Sequence, residues 1–286
     1  MRMHAPLDPM ALPPIARIAG EPALRAGWRR VRKNRGGPGG DGQTPWQFAR
    51  ALDRNLARLG REIADGSYRP GPLRTGAIAK PDGGMRPLAV PSVRDRVAQA
   101  AAVSVLAPIL DRAMSPASFA YRAGLSVEQA AALVTFYRLR GFRWVVDGDI
   151  AEFFPSLLHA PLLALLQEAV ACERTWVLVA LWLAGFSRAG RGLPQGAPLS
   201  PLLSNLALSP VDRLIDGKRV RLVRYADDFL LMTRTREEAE AAAERMAALI
   251  APLGLALNRE KTRVASLDEG VRFLGYWFVG DGVGRG

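Results

Sequence analysis

Tyr225-Ala226-Asp227-Asp228 sets two adjacent carboxylates at a turn between two apolar runs, Arg219 to Tyr225 and Phe229 to Thr233. Neighbouring aspartates repel, so the pattern asks for a cation. Carboxylates at the tip of a strand, turn, strand unit suit a hard divalent ion with oxygen ligands, and Mg2+ is the usual choice when phosphates are the substrate. Chance rarely writes the tetrapeptide: with five tyrosines and fifteen aspartates in the chain, roughly 0.014 matches to Tyr-x-Asp-Asp are expected. A second acidic stretch lies upstream, where Trp144-Val145-Val146 runs into Asp147-Gly148-Asp149-Ile150 and then Phe153-Phe154. That is the pattern of a buried strand delivering carboxylates at its end. Two-metal phosphoryl or nucleotidyl transfer needs carboxylates that converge on ions about 3.5 to 4 Å apart. Asp149 with Asp227 and Asp228 can supply them only if tertiary folding brings the two strand ends together.

The elements that must do this follow from local pattern. Thr75 to Lys80 and Arg86 to Val90 flank the turn Pro81-Asp82-Gly83-Gly84-Met85 and read as a hairpin with Lys80 and Arg86 beside its tip. Ser92 with Asp95 resembles a capping box that opens a helix with Val93, Val97, Ala100, Ala101 and Val105 on one face. Ser200-Pro201 is an N-cap and first turn for a helix through Leu202, Leu203, Leu206 and Val211, fed by the glycine-punctuated GLPQGAPLSP segment. Thr235 and Glu238 form another capping box, before a helix with Ala239, Ala242, Met246, Leu249 and Ile250 on one face. A last apolar strand is expected over Phe273 to Phe278. The sum is an α+β fold, an antiparallel sheet covered on one face by helices.

Composition narrows the partners. The formal charge of +12 favours a polyanion, nucleic acid ahead of an anionic membrane surface. The greasiest stretch, Trp176 to Phe186, is too short to span a bilayer, and no secretory signal is visible at the N-terminus. A single Cys172 cannot form an internal disulfide, which fits a reducing cytoplasm. Arg29, Arg30, Arg32 and Lys33 cluster around Trp28 and Val31 as a basic helix, a candidate contact for nucleic acid.

The ordered segments WRRVRKNRGGPGGDG, GSYRPGPLRTGAIAKPDGGMRPLAVPSVRDRVAQAA, SPASFAYRAGLSVEQA, VVDGDIAEFF, GLPQGAPLSPLLSNLAL, YADD, LALNREKTRV and FLGYWF, spread over nearly the whole chain, resemble the reverse transcriptases. Within them the resemblance is to the group II intron-like bacterial branch, including its CRISPR-associated members. It implies a right-hand polymerase with fingers and palm that copies RNA into DNA with two Mg2+ ions, Mn2+ being a substitute. Its substrates would be an RNA template, a DNA or RNA primer and dNTPs. The expected layout is a basic N-terminal extension over 1–43, fingers over 44–140 and palm over 141–286. Only a short tail follows FLGYWF, so a thumb absent or very short is expected, with a protein partner supplying thumb or integrase function.

The resemblance also assigns roles. Asp149 and Asp227 match the family's metal-binding aspartates, and Asp228 follows as a supporting ligand. Lys80 and Arg86 match the fingers cations that grip the incoming triphosphate, Gln195 and Gly196 its nucleotide and template contacts, and Phe154 the ring that collides with a ribose 2′-hydroxyl. Lys261 matches the lysine that assists pyrophosphate departure. Taken alone, these residues read as an exposed hairpin pair, a helix-start turn, a core phenylalanine and a surface lysine. Asp147 has no role in the family pattern and is expected as a supporting strand-end carboxylate. Pro155-Ser156 replaces the usual acidic residue after the paired phenylalanines, a variant shared with retron-like enzymes. The other readings are a maturase-like RNA-binding protein of the group II intron type and a retron-like reverse transcriptase.

Overall fold

The computed structural model describes residues 12–79, 84–187 and 189–285. Helices α1 (Pro14–Ala19), α2 (Glu21–Lys33), α3 (Pro45–Ala49) and α4 (Leu52–Asp65) precede the strands β1 (Arg74–Ala79) and β2 (Met85–Val90), and α5 (Val93–Leu110) follows. Then come α6 (Val127–Arg138), β3 (Trp144–Ala151), the single turn α7 (Phe153–Ser156), α8 (His159–Ala169), α9 (Glu173–Phe186) and α10 (Ser200–Ile215). The chain ends with β4 (Arg221–Tyr225), β5 (Asp228–Thr233), α11 (Arg236–Ile250), β6 (Ala256–Leu257), β7 (Arg263–Ser266), β8 (Val271–Phe273), β9 (Tyr276–Val279) and β10 (Gly282–Arg285). These elements form two compact units, 1–110 with 163–200, and 111–162 with 201–286. The segment 163–200 therefore packs with the N-terminal unit, although the sequence layout placed it in the palm.

In the first unit α2 packs along α5, Gly27 lying close against Val97 and Ala101, and with Leu24, Trp28 and Val31 buried, Arg29, Arg30, Arg32 and Lys33 are left exposed. The expected hairpin forms: β1 and β2 pair antiparallel, with Ile78 opposite Arg86. Lys80 lies outside the described residues. The capping box at Ser92 is only half made. Ser92 Oγ accepts from Asp95 N at 3.1 Å, but the Asp95 carboxylate is taken by Tyr68 Oη at 2.5 Å and Gly71 N at 2.8 Å, because it is buried within reach of both. Ser200, expected as an N-cap, is instead the first residue of α10, and its hydroxyl donates back to Pro194 O at 2.8 Å.

The second unit is built on an antiparallel sheet in the order β4-β5-β3-β6, with β7 also pairing β3. Because side chains alternate across a strand, register alone assigns its faces. Val145, Asp147 and Asp149 share one face with Asp228, Leu230 and Met232, and with Val223 and Tyr225. Val145, Val223, Leu230 and Met232 on that face bury under α6 (Ala130, Ala131, Val134) and the β8–β9 residues Val271, Phe273 and Phe278. Helix α11 lies along β3 and β5. Helices therefore do not cover just one face as expected: α6 and the small sheet close the carboxylate face at the end away from the aspartates. The run FLGYWF is also not one strand. Leu274 (φ 53°) and Gly275 (φ 80°) turn the chain between β8 and β9, so Phe273 pairs Tyr276.

Candidate active site

The expected strand ends do meet. Asp149 on β3 stands directly opposite Asp228 on β5, and Asp228 in turn faces Tyr225 on β4, so Ala226 and Asp227 form a two-residue turn. Ala226 has φ 62°, the left-handed value that the first central position of a II′ hairpin requires and that a residue with a Cβ adopts only under constraint. One row back, on the opposite face, Arg224, Phe229 and Gly148 line up across the same three strands. A Cβ at position 148 would lie 2.3 Å from Phe229 Cζ. Glycine is therefore what lets the buried ring lie across β3 beside Asp149.

Like charges directly opposite one another destabilise a sheet, and the site shows this strain. The Asp228 carboxyl is pushed up to about 6, first by partial desolvation, then by Asp227 and Asp149, with Lys261 opposing. A carboxyl held above its unfolded value of about 3.9 costs stability wherever both states are ionised, so the cost is full above pH 6 and fades as the pH falls toward 4. Asp228→Asn should therefore melt higher than wild type in metal-free buffer at pH 7, with the gap closing between pH 6 and pH 4 in thermal melts. A gap that ignores pH contradicts this assignment.

Pairing along β3 breaks opposite Asp149: β6 pairs Ile150 and Ala151, β7 pairs Trp144 to Asp147, and the intervening arch 258–262 crosses the strand end. Asn258 N donates to Asp149 O at 2.8 Å and Asn258 Nδ2 to Asp149 Oδ2 at 3.1 Å. Lys261 Nζ reaches the same oxygen at 3.4 Å while staying 57% exposed. Lys261 thus sits against the Asp149 carboxylate, and Asn258, which sequence reasoning missed, holds the same oxygen. Asp147 is held by Arg263 Nε and Nη2, both at 3.2 Å, and burial raises its carboxyl. Phe154 is half-buried in α7 and stacks edge-on with buried Phe153 at 5.5 Å.

The residues fit a divalent ion in donor type and charge. Among the described residues no three His, Cys, Asp or Glu groups converge as a finished cage. Mg2+ characteristically takes one or two carboxylates and completes its shell with water and substrate phosphate, so a mutually repelling carboxylate pair with a third in the turn is a sufficient protein share. In the other unit, Gln195 and Gly196 sit against β2, where Ala89 N donates to Gln195 O at 2.8 Å. Gly196 has φ 111°, which its lack of a side chain allows. Gln195 Oε1 is buried without a hydrogen-bond partner among the described residues, an acceptor open to a ligand donor.

Residues 78–278 match the model of the Reverse transcriptase (RNA-dependent DNA polymerase) family, and the chain belongs to that family. Protein YkfC of Escherichia coli (strain K12) is 30% identical over 85% of this chain and 76% of its own length. The group II intron-encoded protein LtrA of Lactococcus lactis subsp. cremoris is 26% identical over 78% of this chain, but the match covers 49% of LtrA. In fold, the chain is similar to a chain of a partial Cas6-RT-Cas1–Cas2 complex, with TM-score 0.50 and 24% identity over 88% of this chain and 45% of that one. It is also similar to apo telomerase from Candida tropicalis, with TM-score 0.60 and 13% identity over 82% of this chain and 53% of that one. The α+β architecture is that of polymerase fingers and palm, and by family the protein is an RNA-directed DNA polymerase. No described helix is long and apolar enough to cross a membrane.

Proposed function

We infer that the chain extends a primer 3′ end with dNTPs on an RNA template by two-metal nucleotidyl transfer, with Asp149 and Asp227 as metal ligands and Asp228 in support. The observation that carries this reading is the Asp149–Asp228 facing pair with Asp227 in the adjoining turn. Bound Mg2+ would lower the charge barrier between the attacking 3′ oxygen and the phosphate under attack. The protein's own groups do the rest. Asn258 holds the Asp149 carboxylate, and Lys261, within 3.4 Å of it, is assigned the donation of a proton to departing pyrophosphate. Lys80 and Arg86 are assigned to the triphosphate, and Gln195 and Gly196 to nucleotide and template. Primer extension with Mg2+ tests the reading: cDNA from wild type is expected, and none under any primer and template combination refutes it.

Phe154 is assigned the discrimination of sugar, its ring occupying the space a 2′-hydroxyl would need. Phe154→Val should raise ribonucleotide relative to deoxynucleotide incorporation at least about tenfold, since a lost steric contact of this kind is worth on the order of 1–3 kcal/mol. An unchanged ratio removes the role. Arg29, Arg30, Arg32 and Lys33 are exposed on α2 and are assigned to RNA phosphates. Neutralising all four should lower the magnitude of the slope of log affinity against log salt by about 2 to 3, at about 0.7 per single-strand contact. A slope equal to wild type in a filter-binding titration returns the cluster to a solvated helix face.

For the biological setting, likeness to a Cas6-RT-Cas1–Cas2 chain supports work inside a larger assembly of the CRISPR spacer-acquisition kind, a partner supplying thumb or integrase function. The match to LtrA supports an intron-type, maturase-like alternative, and a 30% identical segment of the retron Ec86 reverse transcriptase, over 44% of this chain, a retron-like one.

A further inference from the structure

Behind the catalytic turn, on the face of β4 opposite Tyr225, lies a charged side chain with no access to solvent. Arg224 is 0% exposed, as is its partner Asp212 on α10. Arg224 Nε and Nη2 donate to Asp212 Oδ1 and Oδ2 at 2.8 and 2.6 Å. Nη1 donates to Asn205 Oδ1 at 3.0 Å and to Ala226 O at 2.8 Å. Asn205, also buried, donates its own amide to Ala120 O at 2.7 Å. The strand is anchored as well: Arg224 N donates to Ala117 O at 2.8 Å and Phe119 N to Arg224 O at 3.0 Å.

Buried ion pairs are poor sources of stability, since well-packed apolar residues of like volume do as well or better. What a doubly held guanidinium does supply is direction, because its planar fork cannot serve Asp212 on one edge and swing away on the other. Here the remaining edge is aimed at the carbonyl of Ala226, the peptide that leads into Asp227, in the one turn residue whose φ of 62° needs holding. That peptide's orientation sets where the Asp227 side chain leaves the backbone.

We propose that Arg224, clamped by Asp212 and Asn205, is a positioning residue that locks the Ala226–Asp227 peptide so that Asp227 is presented to the reacting phosphates. This rests on the reading of Asp227 as a metal ligand. It ascribes to a residue beside the acidic tetrapeptide a mechanical role, in place of the RNA contact that a basic residue there would suggest.

The test uses the full chain. Arg224→Lys keeps the charge balance but loses the fork. Arg224→Met with Asp212→Leu removes both charges and is expected to keep the fold, as its melting curve will report. In each, kcat for primer extension should fall about 100-fold, the cost of misplacing a catalytic group by about 1 Å. Primer–template affinity should stay within about twofold of wild type, because the binding surface is untouched. Adding Ala226→Gly, which reaches positive φ without a steric cost, should restore activity at least fivefold. Folded variants with wild-type kcat overturn the proposal, as does equal loss with no recovery on Ala226→Gly. A crystal structure of Arg224→Lys separates this from failure of the polymerase reading. Ala226 should leave positive φ and Asp227 should shift, and an unmoved turn overturns the positioning role whether or not wild type makes cDNA.

Discussion

Asp227→Ala should leave a folded protein whose primer-extension rate is at least about 10³-fold below wild type, since losing the charge stabilisation a metal supplies costs several kcal/mol, and each 1.36 kcal/mol is tenfold in rate. Asp227 sits in the hairpin turn, outside the strand ladder, and it is one of the charges that push Asp228 up. The substitution therefore removes a repulsion, and melting temperature should hold or rise while turnover collapses. Asp147→Ala is the matched control. It also lies on β3 and faces the same side as Asp149, but its carboxylate is spent on Arg263, so its loss should cost less than about tenfold in rate, the range of a supporting contact. Steady-state extension with both variants reads this directly. Equal losses would mean that total negative charge, not the particular position of Asp227, is what the reaction needs.

Gly148→Ala should be the most damaging single methyl in the palm sheet. The added carbon would fall 2.3 Å from Phe229 Cζ and 2.5 Å from Cε2, and the ring is fully buried with no flexible end to swing aside. Overpacking of this kind costs about 1–3 kcal/mol. The strain is released by sliding β3 against β5, which is the register that sets Asp149 opposite Asp228. Activity should drop about 100-fold, with a lowered melting temperature. Phe229→Leu in the same chain should recover part of both. A Gly148→Ala protein with wild-type melting and rate would show that the ring has another place to go.

The acidic hairpin and the carboxylate-tipped strand were legible because their signals are local: a turn residue pair between apolar runs, and an alternation that survives into the structure as one shared face. Their meeting was legible only as a requirement, since nothing in the order of residues says that β3 lies between β5 and β7. The arch carrying Asn258 and Lys261 was missed in part for the same reason. It acts by interrupting a pairing made across more than a hundred positions. FLGYWF misled because five apolar and aromatic residues outweighed Gly275, the one residue marking the turn. Arg224 gave no signal of its role in the sequence, because its burial against Asp212 is invisible until α10 is packed beneath β4. Asp95 was assigned to a helix cap from spacing alone, whereas its burial hands it to Tyr68 and Gly71.

Diffraction at the manganese edge from a complex with Mn2+, primer–template and a non-hydrolysable dNTP reads the metal site without relying on turnover. Two anomalous peaks about 3.5 to 4 Å apart, touching the Asp149 and Asp227 carboxylates with Asp228 alongside, are the expected result. Peaks bound only by nucleotide phosphates or elsewhere on the chain, with neither the Asp149 nor the Asp227 carboxylate touching metal, would contradict it.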